Sequence, residues 1–151
     1  MSQLLQVPIK KFPHSASLPL PNYATLDSAG LDLLAAIENN LILPKGKRLL
    51  VPTGIAIALP RGYEAQVRPR SGLAYKNGIT LINAPGTIDA DYRGEIFLPL
   101  VNFGEEDFVI ERGMRLAQMI IASYSLVEWN LVEDLESSSR NTGGFGSTGL
   151  L

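Results

Sequence analysis

The chain reads as a series of short runs in which apolar and polar positions alternate. Tyr63-Glu64-Ala65-Gln66-Val67-Arg68 alternates with a period of two, the spacing of a strand with one face on a core. Residues 47–57 are rich in β-branched and apolar side chains, and residues 95–101 form another apolar run. By composition, residues 114–124 would suit a helix, but their length, the Ile120-Ile121 centre and the neighbouring segments favour a strand. Turn signals divide these runs: Pro44-Lys45-Gly46, Pro60-Arg61-Gly62, Asn77-Gly78 and Pro85-Gly86. Many short strands separated by Gly and Pro predict an all-β sandwich or barrel of jelly-roll type. One short helix is expected after Ser71, with Ser71 as N-cap and Asn77-Gly78 as its end. No internal repeat is visible.

Composition narrows the function classes. At 151 residues, one domain is expected, large enough to bury roughly 70% of its unfolded surface without disulfide or metal support. The net charge of -2 lacks the basic excess of a dedicated nucleic-acid binder, so no nucleic-acid partner is expected. With no cysteine, there is no thiolate zinc site and no catalytic thiol. With one histidine, His14, one chain cannot build a multi-histidine metal site. No apolar run of membrane-spanning length and no signal-like N-terminus is found, so no membrane partner and a cytoplasmic location are expected.

The last residues differ in kind. Residues 136–140 are polar, and 141–149 are Gly-rich with one aromatic, Phe145. We therefore expect a β domain over 1–136 and a mobile arm over 137–151. Gly144-Phe145-Gly146-Ser147-Thr148-Gly149 has Gly-x-Gly-x-x-Gly spacing, but no helix can follow it, and Leu150-Leu151 do not complete a phosphate-binding P-loop. The arm is either a plain glycine tail or a flexible phosphate grip, with backbone N–H groups, Ser147, Thr148 and Arg140 as donors and Phe145 able to stack on a base.

Four further segments carry candidate chemistry. Arg70-Ser71-Gly72 is either an ordinary helix cap or an anion site of exposed N–H groups. After Pro85-Gly86, an extended reading puts Asp89, Asp91 and Arg93 on one face and Tyr92 on the other. Asp89 is then a candidate general base for water, or else part of a solvated hairpin. Asp32, in Ala29-Gly30-Leu31-Asp32-Leu33, and Gln118, in Arg115-Leu116-Ala117-Gln118, interrupt apolar runs, so each faces water or holds a partner.

In order and spacing, these five segments resemble the five motifs of the homotrimeric dUTPase family, across almost the whole chain. The resemblance implies a β jelly roll (the β-clip type) and a trimer with three composite active sites. It implies Mg²⁺-assisted attack of water on the α-phosphorus of dUTP, giving dUMP, the dTMP precursor, and diphosphate. By likeness, Asp89 activates the water, and Tyr92 packs under the deoxyribose and excludes a 2′-hydroxyl. Asn83, with Thr87 and Ile88 beside it, reads the uracil within a hairpin, and Phe97 lines the nucleoside pocket. Arg70, Ser71, Gly72 and Gln118 hold phosphate oxygens. Asp32 acts through waters on a magnesium bound mainly by the substrate phosphates. Phe145 caps the uracil, while Arg140, Gly146, Ser147 and Thr148 complete the grip on substrate. One departure is Asn141, where the family commonly has Gly after the arginine; Asn tolerates left-handed backbone well enough for the arm still to close.

Two rival readings leave signatures that this sequence lacks. A zinc deaminase is excluded by the missing cysteines, and zinc-free deaminases on this fold carry Ser where Gly72 stands. A non-catalytic nucleotide sensor would have lost its base or its arm, yet Asp89, Ser71 and Phe145 are all present.

Overall fold

The computed structural model describes residues 4–147 and 149. The chain starts with β1 (Ile9–Lys11) and a one-turn 3-10 helix (Pro13–Ser15), followed by β2 (Leu31–Leu34), β3 (Leu41–Leu43), β4 (Arg48–Pro52) and β5 (Ile55–Ile57). Next come β6 (Tyr63–Pro69), α1 (Ser71–Asn77), β7 (Ile79–Leu81) and β8 (Gly86–Ile88). The last strands are β9 (Phe97–Asn102), β10 (Phe108–Ile110) and β11 (Arg115–Ser123). All pairings are antiparallel, in sheets ordered β2-β11-β6-β8, β4-β9-β7, β1-β5 and β3-β10. The result is an all-β, jelly-roll type fold whose sheets stay open, so no barrel closes.

The strands form where the pattern predicted them because alternate side chains reach one core. In β6, Ala65 and Val67 are buried, while Glu64, Gln66 and Arg68 hydrogen-bond to one another along the other face. In β11, Leu116 and Ala117 are both buried, and an irregularity in register between Arg115 and Ala117 allows it. Leu33, Leu43, Val51, Leu98, Leu100 and Ile110 are completely buried and knit the sheets together. Each such side chain contributes roughly 1.5–3 kcal/mol by leaving water.

Two buried or tight points fix the connections. Asn102 is wholly buried, donates to the carbonyls of Leu43 and Glu106, and accepts from the Gly104 N–H. The 47–57 run breaks into two strands at Gly54, whose φ of +69° suits glycine and whose Cβ would lie 2.2 Å from the Ser15 Cβ. At the surface, the Lys45 ammonium hydrogen-bonds Glu105 at 2.7 Å and holds that carboxyl below its ordinary range.

Some expectations are corrected. The N-cap of α1 is Arg70, one residue earlier than expected, and no side chain caps the helix; Gly78 ends it in the left-handed conformation as expected. Residues 89–95 are not extended, because the Tyr92 N–H closes a turn onto the Asp89 carbonyl. The one-face argument for Asp89, Asp91 and Arg93 therefore fails, and the Arg93 guanidinium instead donates to the carbonyls of Ala90 and Tyr92. Residues 82–85 do not close a two-strand hairpin either: β7 pairs with β9 and β8 with β6, so this loop passes from one sheet to another.

Candidate active site

Strand order brings three of the segments together. Asp32 on β2 lies opposite Gln118 on β11, and Gln118 lies opposite Arg68 on β6. Their side chains, with Ala29, Gly30, Arg70, Ser71 and Gly72, line an open cleft of about 540 Å³. Asp32 faces two guanidinium groups: Arg70 Nε is 3.1 Å from Oδ1, and Arg115 Nη1 is 3.4 Å from Oδ2. Arg70 also donates to the Arg115 carbonyl, so its guanidinium is held from two sides. Ser71 and Gly72 are exposed at the start of α1, where the first-turn N–H groups have no partner within the helix, and both residues line the cleft. Arg68 and Lys76 add positive charge to the lining. Sequence reasoning missed both; the period-2 spacing of Arg68 and Arg70 was the available signal. Cationic side chains, backbone donors and one carboxylate suit a polyphosphate anion.

Gly30 is needed there for a steric reason. A Cβ at this position would lie 2.3 Å from Gln118 Oε1 and 3.1 Å from its Cδ. The Gln118 amide is also tied down by donation to the Pro69 carbonyl at 3.0 Å. Gly30→Ala should therefore swing the amide off its perch and raise KM for the phosphate-bearing substrate about tenfold, the scale of a charge-assisted hydrogen bond. The same substitution in a Gln118→Ala background should add little; steady-state kinetics of the double-mutant cycle would show this, and additive effects would refute the coupling.

The third segment sits elsewhere. Asp89, Asp91 and Asn83 are exposed, as are Thr87 and Phe97; Ile88 is half-buried. The Asn83 amide lies over Gly86, where a Cβ would approach Nδ2 to 3.2 Å. Tyr92 folds back so that its hydroxyl donates to the Glu95 carbonyl at 2.8 Å. Gly94 makes room for that ring, since a Cβ there would lie 2.4 Å from the Tyr92 hydroxyl. The register gives the separation of Asp89 from Arg70. Ile88 pairs with Ala65, so Asp89 stands level with Glu64, six residues along β6 from Arg70. At ~3.3 Å per residue, that is about 20 Å. Asp89 is therefore far from Arg70 and is not among the residues that line the cleft of its own chain.

The arm is equally remote from the cleft in its contacts. Phe145 is fully exposed, and Arg140 Nε donates to the Gly143 carbonyl within the arm. Gly146 and Ser147 are exposed, and Thr148 lies outside the described residues. Asn141 takes a φ of +43°, as expected for the residue in the glycine position, and exchanges two hydrogen bonds with Ser138. Among the described residues, no three His, Cys, Asp or Glu side chains converge to hold a metal ion.

Residues 16–149 match the family model for dUTPase. The chain belongs to the dUTPase family. It is 57% identical over 147 residues to the deoxyuridine 5′-triphosphate nucleotidohydrolase of Rickettsia bellii (strain OSU 85-389), covering 97% of each chain. The Rickettsia felis protein of the same name is 58% identical, with 97% of this chain and 99% of that one covered. Among solved structures, the dUTPase of Staphylococcus bacteriophage 80alpha with dUPNHPP superposes with a TM-score of 0.86 at 25% identity, covering 96% of this chain and 99% of that one. A mutant dUTPase of phage phi11 of S. aureus, described with a structural Mg(II) ion, shares the fold at a TM-score of 0.76 and 23% identity, over 88% of this chain and 100% of that one. In this dUTPase, the first, second and fourth family segments form the cleft, while the third and fifth stand apart from it.

Proposed function

We propose that this dUTPase hydrolyses dUTP to dUMP and diphosphate at sites shared between copies of the chain, in a homotrimer. The reaction follows from family membership and from relatives named for it. The observation that carries the shared site is the register of β8 on β6, which leaves Asp89 about 20 Å from Arg70 of its own chain and outside the cleft lining. A second feature supports assembly: Leu126, Val127, Trp129, Leu131 and Leu135 are all more than 70% exposed, an apolar strip that calls for a partner surface.

In this reading, the cleft of one copy holds the triphosphate through Arg70, Ser71, the Gly72 N–H and Gln118. Asp89 of a second copy takes a proton from a water as its oxygen bonds to the α-phosphorus. The bond to the α,β-bridging oxygen breaks, and diphosphate leaves. Tyr92, beside Asp89, forms the floor under the deoxyribose, and Asn83, Thr87, Ile88 and Phe97 surround the base. The arm of a third copy, residues 137–151, closes the site, with Phe145 on the uracil and Arg140, Gly146, Ser147 and Thr148 on the phosphates. Positioning and charge neutralisation supply most of the rate.

The donor set suits Mg²⁺ in one mode only. Both Asp32 oxygens already face guanidinium groups, and no carboxylate cage exists among the described residues. Asp32 can therefore assist only through water, with the ion carried by the substrate phosphates, where it would neutralise their charge. No helix among the described residues is long and apolar enough to cross a membrane, and a cytoplasmic role in lowering dUTP and supplying dUMP completes the proposal.

The test is diphosphate release with Mg²⁺ from dUTP, dTTP, dCTP and UTP, with ammonia followed in parallel. Release from dUTP alone is expected. Ammonia from dCTP would move the chain to the deaminases, and silence on all four would leave a binding protein.

A further inference from the structure

We propose that His14, the only histidine of the chain, is a positioning residue for sugar selection, acting through Glu95 on Tyr92. The inference rests on the reading of Tyr92 as the floor of the deoxyribose site. None of the five family segments includes His14, which sits in the 3-10 turn Pro13–Ser15.

A continuous set of hydrogen bonds joins His14 to Tyr92. His14 Nε2 lies 2.7 Å from Glu95 Oε1. A carboxylate oxygen only accepts, so Nε2 carries the proton of this bond. The same Oε1 accepts the Gly54 N–H at 2.8 Å. The Glu95 carbonyl, in turn, accepts the Tyr92 hydroxyl at 2.8 Å. Glu95 is thus gripped by its side chain and grips Tyr92 by its main chain.

His14 is itself held at two further points. Its ring stacks on Phe12 with centroids 5.9 Å apart, and its carbonyl accepts Arg112 Nη2 at 2.9 Å. Arg112 also donates to the Ile37 carbonyl and to Ser17 Oγ, which ties the N-terminal turn to the body of the fold. Side-chain exposure falls from 31% at His14 to 13% at Glu95, so this hydrogen bond is partly shielded from competing water. Tyr92 itself is exposed and packs close over Gly94, and the bond of its hydroxyl to the Glu95 carbonyl helps to fix the height of its ring. A sugar floor rejects a 2′-hydroxyl only if it does not yield. Rejection by sterics therefore depends on what stiffens Tyr92, and the His14–Glu95 pair is in place to do so.

The experiment compares kcat/KM for dUTP and for UTP in wild type, His14→Phe, His14→Gln and Tyr92→Ala, with thermal melts on each. Phenylalanine keeps the stack on Phe12 and removes the donor, while glutamine restores an N–H donor. His14→Phe should lower the dUTP-to-UTP ratio about fivefold, the scale of one net hydrogen bond. His14→Gln should recover most of that loss, and Tyr92→Ala should lower the ratio further. A purely structural role would reduce turnover of both nucleotides together and leave the ratio intact. An unchanged ratio in His14→Phe beside a lowered ratio in Tyr92→Ala would overturn the role of His14 alone. An unchanged ratio in Tyr92→Ala would overturn the reading of the sugar floor, and this inference with it.

Discussion

Asp89→Asn should lower kcat for dUTP by about 10²–10⁴-fold, the range that a positioned general base contributes. Asparagine keeps the size and shape of the side chain, and its amide cannot take the proton that the attacking water must shed. Asp89 is exposed at the end of β8, where no core contact depends on it, so fold and assembly should survive the change. Binding of a non-hydrolysable dUTP analogue should stay within a few-fold of wild type, because the phosphate grip lies on another element. Single-turnover kinetics beside an equilibrium titration would separate the two effects. Turnover within tenfold of wild type would remove Asp89 from the role of base.

Removing residues 140–151 should cost about 10²-fold in turnover, the scale of losing one positioning element, and should leave the melting temperature almost unchanged. The asymmetry follows from the contacts. Phe145 is wholly exposed, the Arg140 side chain bonds inside the arm, to Gly143, and no described arm residue joins the hydrophobic core. An element that gives the fold so little can be lost without unfolding it. Its Gly-rich sequence and left-handed Asn141 suit a segment that orders around a ligand. Full activity in the shortened chain would show that the arm does not close the site.

Much of the architecture was legible because its causes are local. Period-2 alternation and Gly/Pro punctuation located the strands, and β11 came out as a strand rather than a helix because its apolar positions serve a sheet flanked on both sides. The same locality explains the errors. Ser71 was expected to cap α1, but the chain turns helical one residue sooner, and a cap inferred from residue type has that margin. The one-face argument at Asp89 assumed a strand, and a single backbone hydrogen bond from Tyr92 to Asp89 was enough to void it. Pro13 was a readable start signal for the 3-10 turn, yet nothing nearby announced that His14 would meet Glu95, 81 residues away.

The site shows the same division. Asp32 stood out as an acid in an apolar run, but sequence alone could not reveal that two arginines converge on it, since β11 reaches it only through strand pairing. Arg68 and Lys76 were passed over because isolated basic residues on a strand and a helix usually face water. The five segments were recognisable in order along the chain. The 20 Å gap between Asp89 and Arg70 depends on register, which becomes visible only once the strands are paired.

The shared site is tested most directly by mixing two inactive proteins. Asp89→Asn subunits and subunits lacking residues 140–151 would be unfolded together, refolded at equal ratio, checked for subunit exchange and assayed for diphosphate release. If each site draws its base and its arm from different copies, random assembly leaves about a quarter of the sites with both intact. Activity should then rise from near zero towards that fraction of wild type. If every site belongs to one chain, each still carries one of the two lesions, and a mixture as inactive as its parents would contradict the account.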